Sequence, residues 1–181
     1  GKGLGRDDRE IRMRKVFVAA FCTVLLAGCG TMGFTPKEYP IRAGLVPALD
    51  IHGSVVAVNM QPSKAPFIVY SYSGSKLASN LHDITQVMVD QANEELKKNG
   101  HFVGGANKTI DLKVNSLVSK YTNIFYWKSH IVFEAKLGNG QTIDLDVPHA
   151  SGVLAQDLNG CIAEGVMKLL NDPRVKSYLA S

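Results

Sequence analysis

Two periods of apolar residues organise the chain after residue 53. Ser54-Val55-Val56-Ala57-Val58-Asn59 is a compact apolar run and predicts a first strand. A loop with Pro62, Pro66, Tyr70, Tyr72 and Gly74 follows, and within it Phe67-Ile68-Val69-Tyr70 has the length of a short edge strand. Leu77, Leu81, Ile84, Val87, Met88, Ala92 and Leu96 then fall on one face at helical spacing. The stripe predicts a helix that begins before Leu81, carries Lys97 and Lys98 at the negative end of its dipole, and stops at Asn99-Gly100.

Strand periodicity returns after that helix. His101-Phe102-Val103 predicts a short strand, and Gly104-Gly105 a turn. Ile110, Leu112 and Val114 alternate with Asp111, Lys113 and Asn115, as in a half-buried strand. Over residues 124–137, Phe125, Trp127, Ile131, Phe133 and Ala135 share one face, while Tyr126, Lys128, His130, Glu134 and Lys136 share the other. Gly138-Asn139-Gly140 is a hairpin signal, because tight turns need positive φ angles. Ile143, Leu145 and Val147 then alternate with Thr142, Asp144 and Asp146, which completes an antiparallel meander. A last helix is predicted over residues 153–171, with Leu154, Leu158, Cys161, Ile162, Val166, Leu169 and Leu170 on its buried face. Asp172-Pro173 breaks it, and residues 175–179 add a final turn. The order is β-α-β-β-β-β-α. It predicts an α+β fold with a single, mostly antiparallel sheet and two helices packed on one face.

The N-terminal region follows a different logic. An apolar run over residues 16–26 follows the basic pair Arg14-Lys15 and ends in Leu26-Ala27-Gly28-Cys29. It is shorter than the roughly 20 apolar residues a membrane span needs, and it has the length of a signal-peptide hydrophobic region. A charged start, an apolar middle, small residues and then cysteine read as a bacterial lipoprotein signal, with cleavage between Gly28 and Cys29 and lipid attached to Cys29. Residues 1–12 then precede Met13 as an upstream extension or non-native segment, and residues 13–28 are the signal. Residues 29–53 form a flexible tether, broken by Gly30, Gly33, Pro36, Pro40, Gly44 and Pro47. Residues 54–181 form one periplasmic domain. Gly30, rather than aspartate, follows the cysteine, which favours the outer membrane with the domain facing the periplasm.

The signal changes the charge argument. The 181 residues contain 20 Lys and Arg against 16 Asp and Glu, a net charge of +4. Lys2, Arg6, Arg9, Arg12, Arg14 and Lys15 precede Cys29, as do Asp7, Asp8 and Glu10. From Cys29 onward, 14 basic residues face 13 acidic ones, a net of +1. Without a basic stripe, nucleic acid is not an expected partner. The expected partners are the membrane, through the lipid, and an envelope protein. Cys161 is the one cysteine left beyond the signal and the lipid site; its place on the apolar stripe makes it structural.

Order and spacing resemble YajG-type bacterial lipoproteins. The resemblance rests on Leu26-Ala27-Gly28-Cys29, the strand SVVAVN, and the stretch ELKKNGHFVGGANKTIDLKVNSLVSK. It continues through the meander and the NDPRVKSYL ending. It implies location and fold more than activity. Lipid-transport auxiliary lipoproteins and LptE-like proteins have comparable helix and strand orders, but the start at Cys29-Gly30-Thr31-Met32-Gly33-Phe34 lacks the Gly-Phe-His-Leu-Arg type opening of the latter.

No catalytic set stands out. His52, His82, His101, His130 and His149 have no zinc-like spacing, and there is no Gly-x-Ser-x-Gly elbow. The glycine-rich stretch at 100–105 follows a helix, whereas phosphate loops precede one. Neither a metal nor a cofactor other than the covalent lipid on Cys29 is expected. The aromatic residues remain: Tyr121, Phe125, Tyr126 and Trp127, with Tyr70 and Tyr72 in the loop. They are core with edge coverage, or a binding surface, since aromatics bury much area at small entropy cost. The candidate surface is Tyr70, Tyr72, Tyr126, Lys128 and His130. The expected function is a non-enzymatic, lipid-anchored outer-membrane module for envelope protein interaction or assembly. The alternative is a lipid or glycolipid transport accessory, which requires an apolar groove.

Overall fold

The computed structural model describes residues 30–123 and 125–181. The signal, Cys29 and the extension before Met13 lie outside the described residues. Seven strands form one sheet: β1 (Thr31–Gly33), β2 (Leu49–Asn59), β3 (Pro66–Tyr72), β4 (Ser75–Asn80), β5 (Gly100–Asn123), β6 (Tyr126–Leu137) and β7 (Thr142–Ser151). Among the described residues three helices accompany it: α1 (Leu81–Asn99), α2 (Leu154–Asn171) and α3 (Pro173–Ala180). The fold is α+β with a mostly antiparallel open sheet, and these three helices pack on one face.

Across the sheet the order is β1-β4-β3-β5-β6-β7, and β2 also pairs with β5. β5 is the axis. Its antiparallel partner β6 runs along it from Ile110↔Leu137 to Asn123↔Tyr126. On the other edge, β2 lies parallel to the first half, from Leu49↔Gly100 to Asn59↔Leu112. β3 meets the second half at Tyr70↔Ser119, also parallel. The alternation is clean: Ile110, Leu112, Val114 and Leu117 are fully buried against the helices, and their neighbours face outward. Ile84, Met88, Leu158, Ile162, Val166 and Leu169 fill the space above them at 0% exposure. These helical side chains and the sheet residues beneath them belong to one buried apolar cluster.

Four local expectations change. Leu77 is not in a helix; it belongs to β4, and α1 starts at Leu81. Asn80 decides this, because its Oδ1 accepts from Asp83 N at 2.8 Å while its Nδ2 donates to Asp83 Oδ2 at 2.8 Å. The cap holds extended backbone before Leu81 and fixes the start. Gly104-Gly105 is not a turn, since β5 runs through it unbroken. Gly104 (φ 84°) lies beside a register shift in β2 at Gly53 (φ 87°), and a Cβ on Gly53 would lie 1.6 Å from Ala106 O. The two glycines therefore serve a bulge. Phe125 leaves the buried face of β6 and stands 78% exposed at the hairpin turn. The final turn is a two-turn helix, α3, with Pro173 in its first turn and Asp172 as its cap.

The largest correction concerns residues 29–53, expected as a flexible tether. From Gly30 onward this stretch is fixed to the fold by hydrogen bonds and a few buried side chains. Gly30 O accepts from Lys76 N at 3.3 Å, and Phe34 N donates to Ala78 O at 2.7 Å, so β1 is a true edge strand beside β4. Residues 34–48 then form a strap over the helices. Lys37 N donates to Asn159 Oδ1 of α2 at 2.9 Å, Gln91 of α1 donates to Tyr39 O, and Asn171 Nδ2 donates to Leu45 O. Ile41 and Val46 are buried in the core, and Leu49 and Ile51 are already β2. Prolines and glycines abolish periodicity without abolishing packing.

The free edge of β2 is also managed. Asn93 of α1 accepts from Ala57 N and donates to Ala57 O, so one carboxamide completes the ladder where no strand follows.

Candidate functional site

The five candidate surface residues do not form one patch. Tyr126, Lys128 and His130 alternate along β6 on the face away from the helices, and all three are exposed. Tyr70 is buried at 9% exposure, beside Ser119 on the helix-covered face. Tyr72 shares that face at 52% exposure. Side-chain direction in β3 depends on its parallel contact with β5, which no local pattern reveals.

Two arrangements result. On the open face, Lys113, Glu134 and Asp144 stand in register across β5, β6 and β7. One step toward the β5–β6 hairpin, Val132 lies between Ser116 and Asp146; the next step aligns Val118, His130 and Pro148. His130 Nδ1 and Asp146 Oδ1 are 2.9 Å apart, both well exposed. The surface is mixed, with half-buried valines among charges of both signs.

On the helix face, beyond the start of α2, Tyr72, Tyr121 and Trp127 form an aromatic ladder. Ring centroids are 4.7 Å apart for Tyr72–Tyr121 and 5.6 Å for Tyr121–Trp127, both tilted. Trp127 is half-buried and its Nε1 meets no hydrogen-bond partner among the described residues. The ladder seals the end of the core with rings whose outer edges reach solvent.

Beneath the first turn of α2 lies a polar layer that spacing along the chain did not indicate. Ser119 Oγ donates to Asp157 Oδ2 at 2.6 Å, and Ser129 Oγ donates to Asp157 O at 3.2 Å. His149 packs against Gly160, where an added Cβ would lie 2.4 Å from its Nε2. Burial pushes the Asp157 carboxyl above its ordinary value, opposed by the serine hydroxyls and by His149. Serine, histidine and aspartate together suggest nucleophilic chemistry, but the geometry is wrong for it. Both hydroxyls donate to Asp157 rather than to an imidazole, and Ser119, Ser129 and Asp157 are all buried from solvent. The cluster seats α2 on the sheet.

Cys161 is fully buried, its Sγ lies 3.6 Å from Val147 O, and burial pushes its thiol up to about 12. That suits a core residue and not a nucleophile. Among the described residues no three His, Cys, Asp or Glu side chains gather as a metal site. No helix among them is long and apolar enough to cross a membrane.

No protein-family model matches the chain. No curated protein matches it either. Among solved structures, the crystal structure of a Xanthomonas campestris protein of the family described as DUF330 is similar at 15% identity and a TM-score of 0.40, covering 78% of this chain and 95% of that one. A second crystal structure, of an uncharacterized protein, is similar at 12% identity and a TM-score of 0.35, covering 76% and 95%.

Proposed function

We propose that the protein is a lipid-anchored lipoprotein of the bacterial outer membrane, facing the periplasm, and that it is a non-enzymatic module for envelope protein interaction or assembly. One observation carries this reading: among the described residues, the helices and the strap cover a single face of the sheet and leave the other uncovered. That face runs along β6 and β7 from Tyr126, Lys128 and His130 to Glu134 and Asp144. Partly apolar and partly charged, it has the composition of a non-obligate protein interface. The closely filled core supports this reading over the transport-accessory alternative, because a lipid carrier needs an apolar cavity of several hundred Å³.

Two measurements test it. Mass spectrometry of the N-terminal peptide is expected to find acyl chains on Cys29; an unmodified Cys29 removes the anchor. A photocrosslinking residue at Asp144, on the open face, is expected to give one discrete protein adduct in intact cells. The same residue at Lys168, exposed on α2, is expected to give none. Equal labelling at both positions, or none at either, overturns the interaction reading.

A further inference from the structure

Cys29 is one peptide bond from Gly30, so their Cα atoms are about 3.8 Å apart. Gly30 is already held by Lys76, and β1 pairs with β4 from Thr31 onward. A lipid on Cys29 therefore has almost no slack. The anchor and one particular end of the sheet must lie at the same height above the bilayer.

The registers identify that end. Thr31 pairs with Lys76, next to the β3–β4 turn. Tyr70 pairs with Ser119, which brings Tyr72 level with Tyr121. Trp127 pairs with Tyr121 on one side and Ser151 on the other. A Cβ on Gly152 would lie 3.3 Å from Phe125 O. The start of β1, the β3–β4 turn, the β5–β6 hairpin and the entry to α2 thus form one rim. Four inter-strand steps separate β1 from β6, so the rim extends roughly 19 Å from the anchor to the hairpin.

The rim has an unusual composition. Met32, Tyr72, Phe125, Tyr126 and Val153 are exposed by 59, 52, 78, 42 and 51%. Lys76, Lys120 and Lys128 are exposed beside them. Over residues 30–33, 70–77, 119–128 and 149–157 the single acidic side chain is Asp157, which is buried. The opposite end also exposes an apolar pair, Phe102 and Val103, but it carries exposed Asp50 in register with His101. Aromatic residues favour the membrane–water interface, and lysines favour anionic headgroups.

We propose that this rim is a membrane-seating surface. Phe125, Tyr126, Tyr72 and Met32 rest in the headgroup region of the bilayer that holds the Cys29 lipid, and the three lysines face its anionic phosphates. The strands then stand upright on the membrane instead of lying along it. The inference rests on the lipid-anchor reading of Cys29.

The chain carries its own reporter, because Trp127 is its single tryptophan and belongs to the rim. The lipidated full chain is placed in phosphatidylethanolamine–phosphatidylglycerol vesicles with brominated acyl chains. Fluorescence of Trp127 is expected to be quenched. A Trp127→Phe/Asn139→Trp variant moves the reporter to the far turn, about 36 Å away along the 12 residues of β6. Its fluorescence is expected to be unaffected, with circular dichroism checking that the variant is folded. Phe125→Ser combined with Lys120→Gln and Lys128→Gln is expected to lower the quenching of Trp127.

Equal quenching at both positions, or none at Trp127, overturns the seating. So does a photocrosslinker at Phe125 that labels a protein instead of lipid. The acylation state of Cys29, read by mass spectrometry on the same sample, separates the two claims. Acylated Cys29 with an unquenched Trp127 defeats the seating alone, whereas unmodified Cys29 defeats the anchor and the seating with it.

Discussion

Whether residues 34–48 are a strap or a tether can be settled by unfolding. Ile41 and Val46 are 9% and 3% exposed, while Leu45 between them is 50% exposed. Val46→Ala removes two carbons and Ile41→Ala removes three. At about 0.8 kcal/mol per buried methylene these cost about 1.6 and about 2.4 kcal/mol, before any cavity term. The double variant is expected to lose about 4 kcal/mol, a large share of the roughly 5–15 kcal/mol that holds a domain together. For a domain of this size that lowers Tm by about 8–16 °C. Leu45→Ala is the internal control and should change stability by no more than about 0.5 kcal/mol. The assay is urea unfolding of the detergent-solubilised full chain, with the midpoint compared at constant m-value. If Ile41→Ala and Val46→Ala match Leu45→Ala, the strap does not pack, residues 34–48 revert to a tether, and the core does not hold this segment in place.

Three further outcomes follow from particular environments. Burial raises the Asp157 carboxyl, so the folded state holds that proton more tightly than the unfolded state does. Its contribution is fully present below about 3.8 and is lost as pH rises through the folded value. Asp157→Asn cannot ionise, so its Tm relative to the parent should be more favourable at pH 7 than at pH 3; a constant or reversed difference refutes the assignment. Cys161, with its thiol pushed up to about 12, should resist iodoacetamide in the native protein and react only on unfolding, as read by peptide mass mapping. Equal rates in the two states would place it at the surface. Tyr126→Ala should change the unfolding free energy in urea by no more than about 0.5 kcal/mol, since the side chain is 42% exposed, and a loss of several kcal/mol would make it a core residue.

The sequence displays what is local and periodic. β6, the Gly138-Asn139-Gly140 hairpin and β7 follow from alternation and turn chemistry, and α2 follows from a stripe whose members Leu158, Cys161, Ile162, Val166, Leu169 and Leu170 are all buried. Leu77 misleads because its spacing to Leu81 is also helical, and the side-chain cap at Asn80 overrides that spacing. The strap is illegible because single residues hold it, at irregular intervals, against helices that come later in the chain. Candidate sites fare worse for the same reason. Tyr70 and Tyr72 look like loop aromatics until β3 is placed beside β5, and Ser119 meets Asp157 across 38 residues. Which face a strand turns to the core is set by its neighbours, and although β4 follows β3 at once, the contact that joins this hairpin to the rest of the sheet, Tyr70↔Ser119, lies far along the chain.

The strap also explains how an anchored sheet can present a free face. Fifteen residues at 34–48 span at most about 50 Å, enough to pass from β1 at one end of the sheet to the start of β2 at the other. The chain crosses on the helix side, where Asn159, Gln91 and Asn171 hold it, so residues 34–48 leave the opposite face uncovered. With the rim seated on the bilayer, the strands rise from the headgroups, and the open face of β5, β6 and β7 stands across the membrane normal. Tyr126 and Lys128 fall at its foot and Glu134 and Lys136 toward its top, up to about 33 Å higher. A partner engaging this face is then met side-on. Substitutions near the foot, at Tyr126 or Lys128, should disturb membrane seating before they disturb the partner, and substitutions at Glu134 or Asp144 should do the reverse. A single surface serving both roles would lose both together at every position.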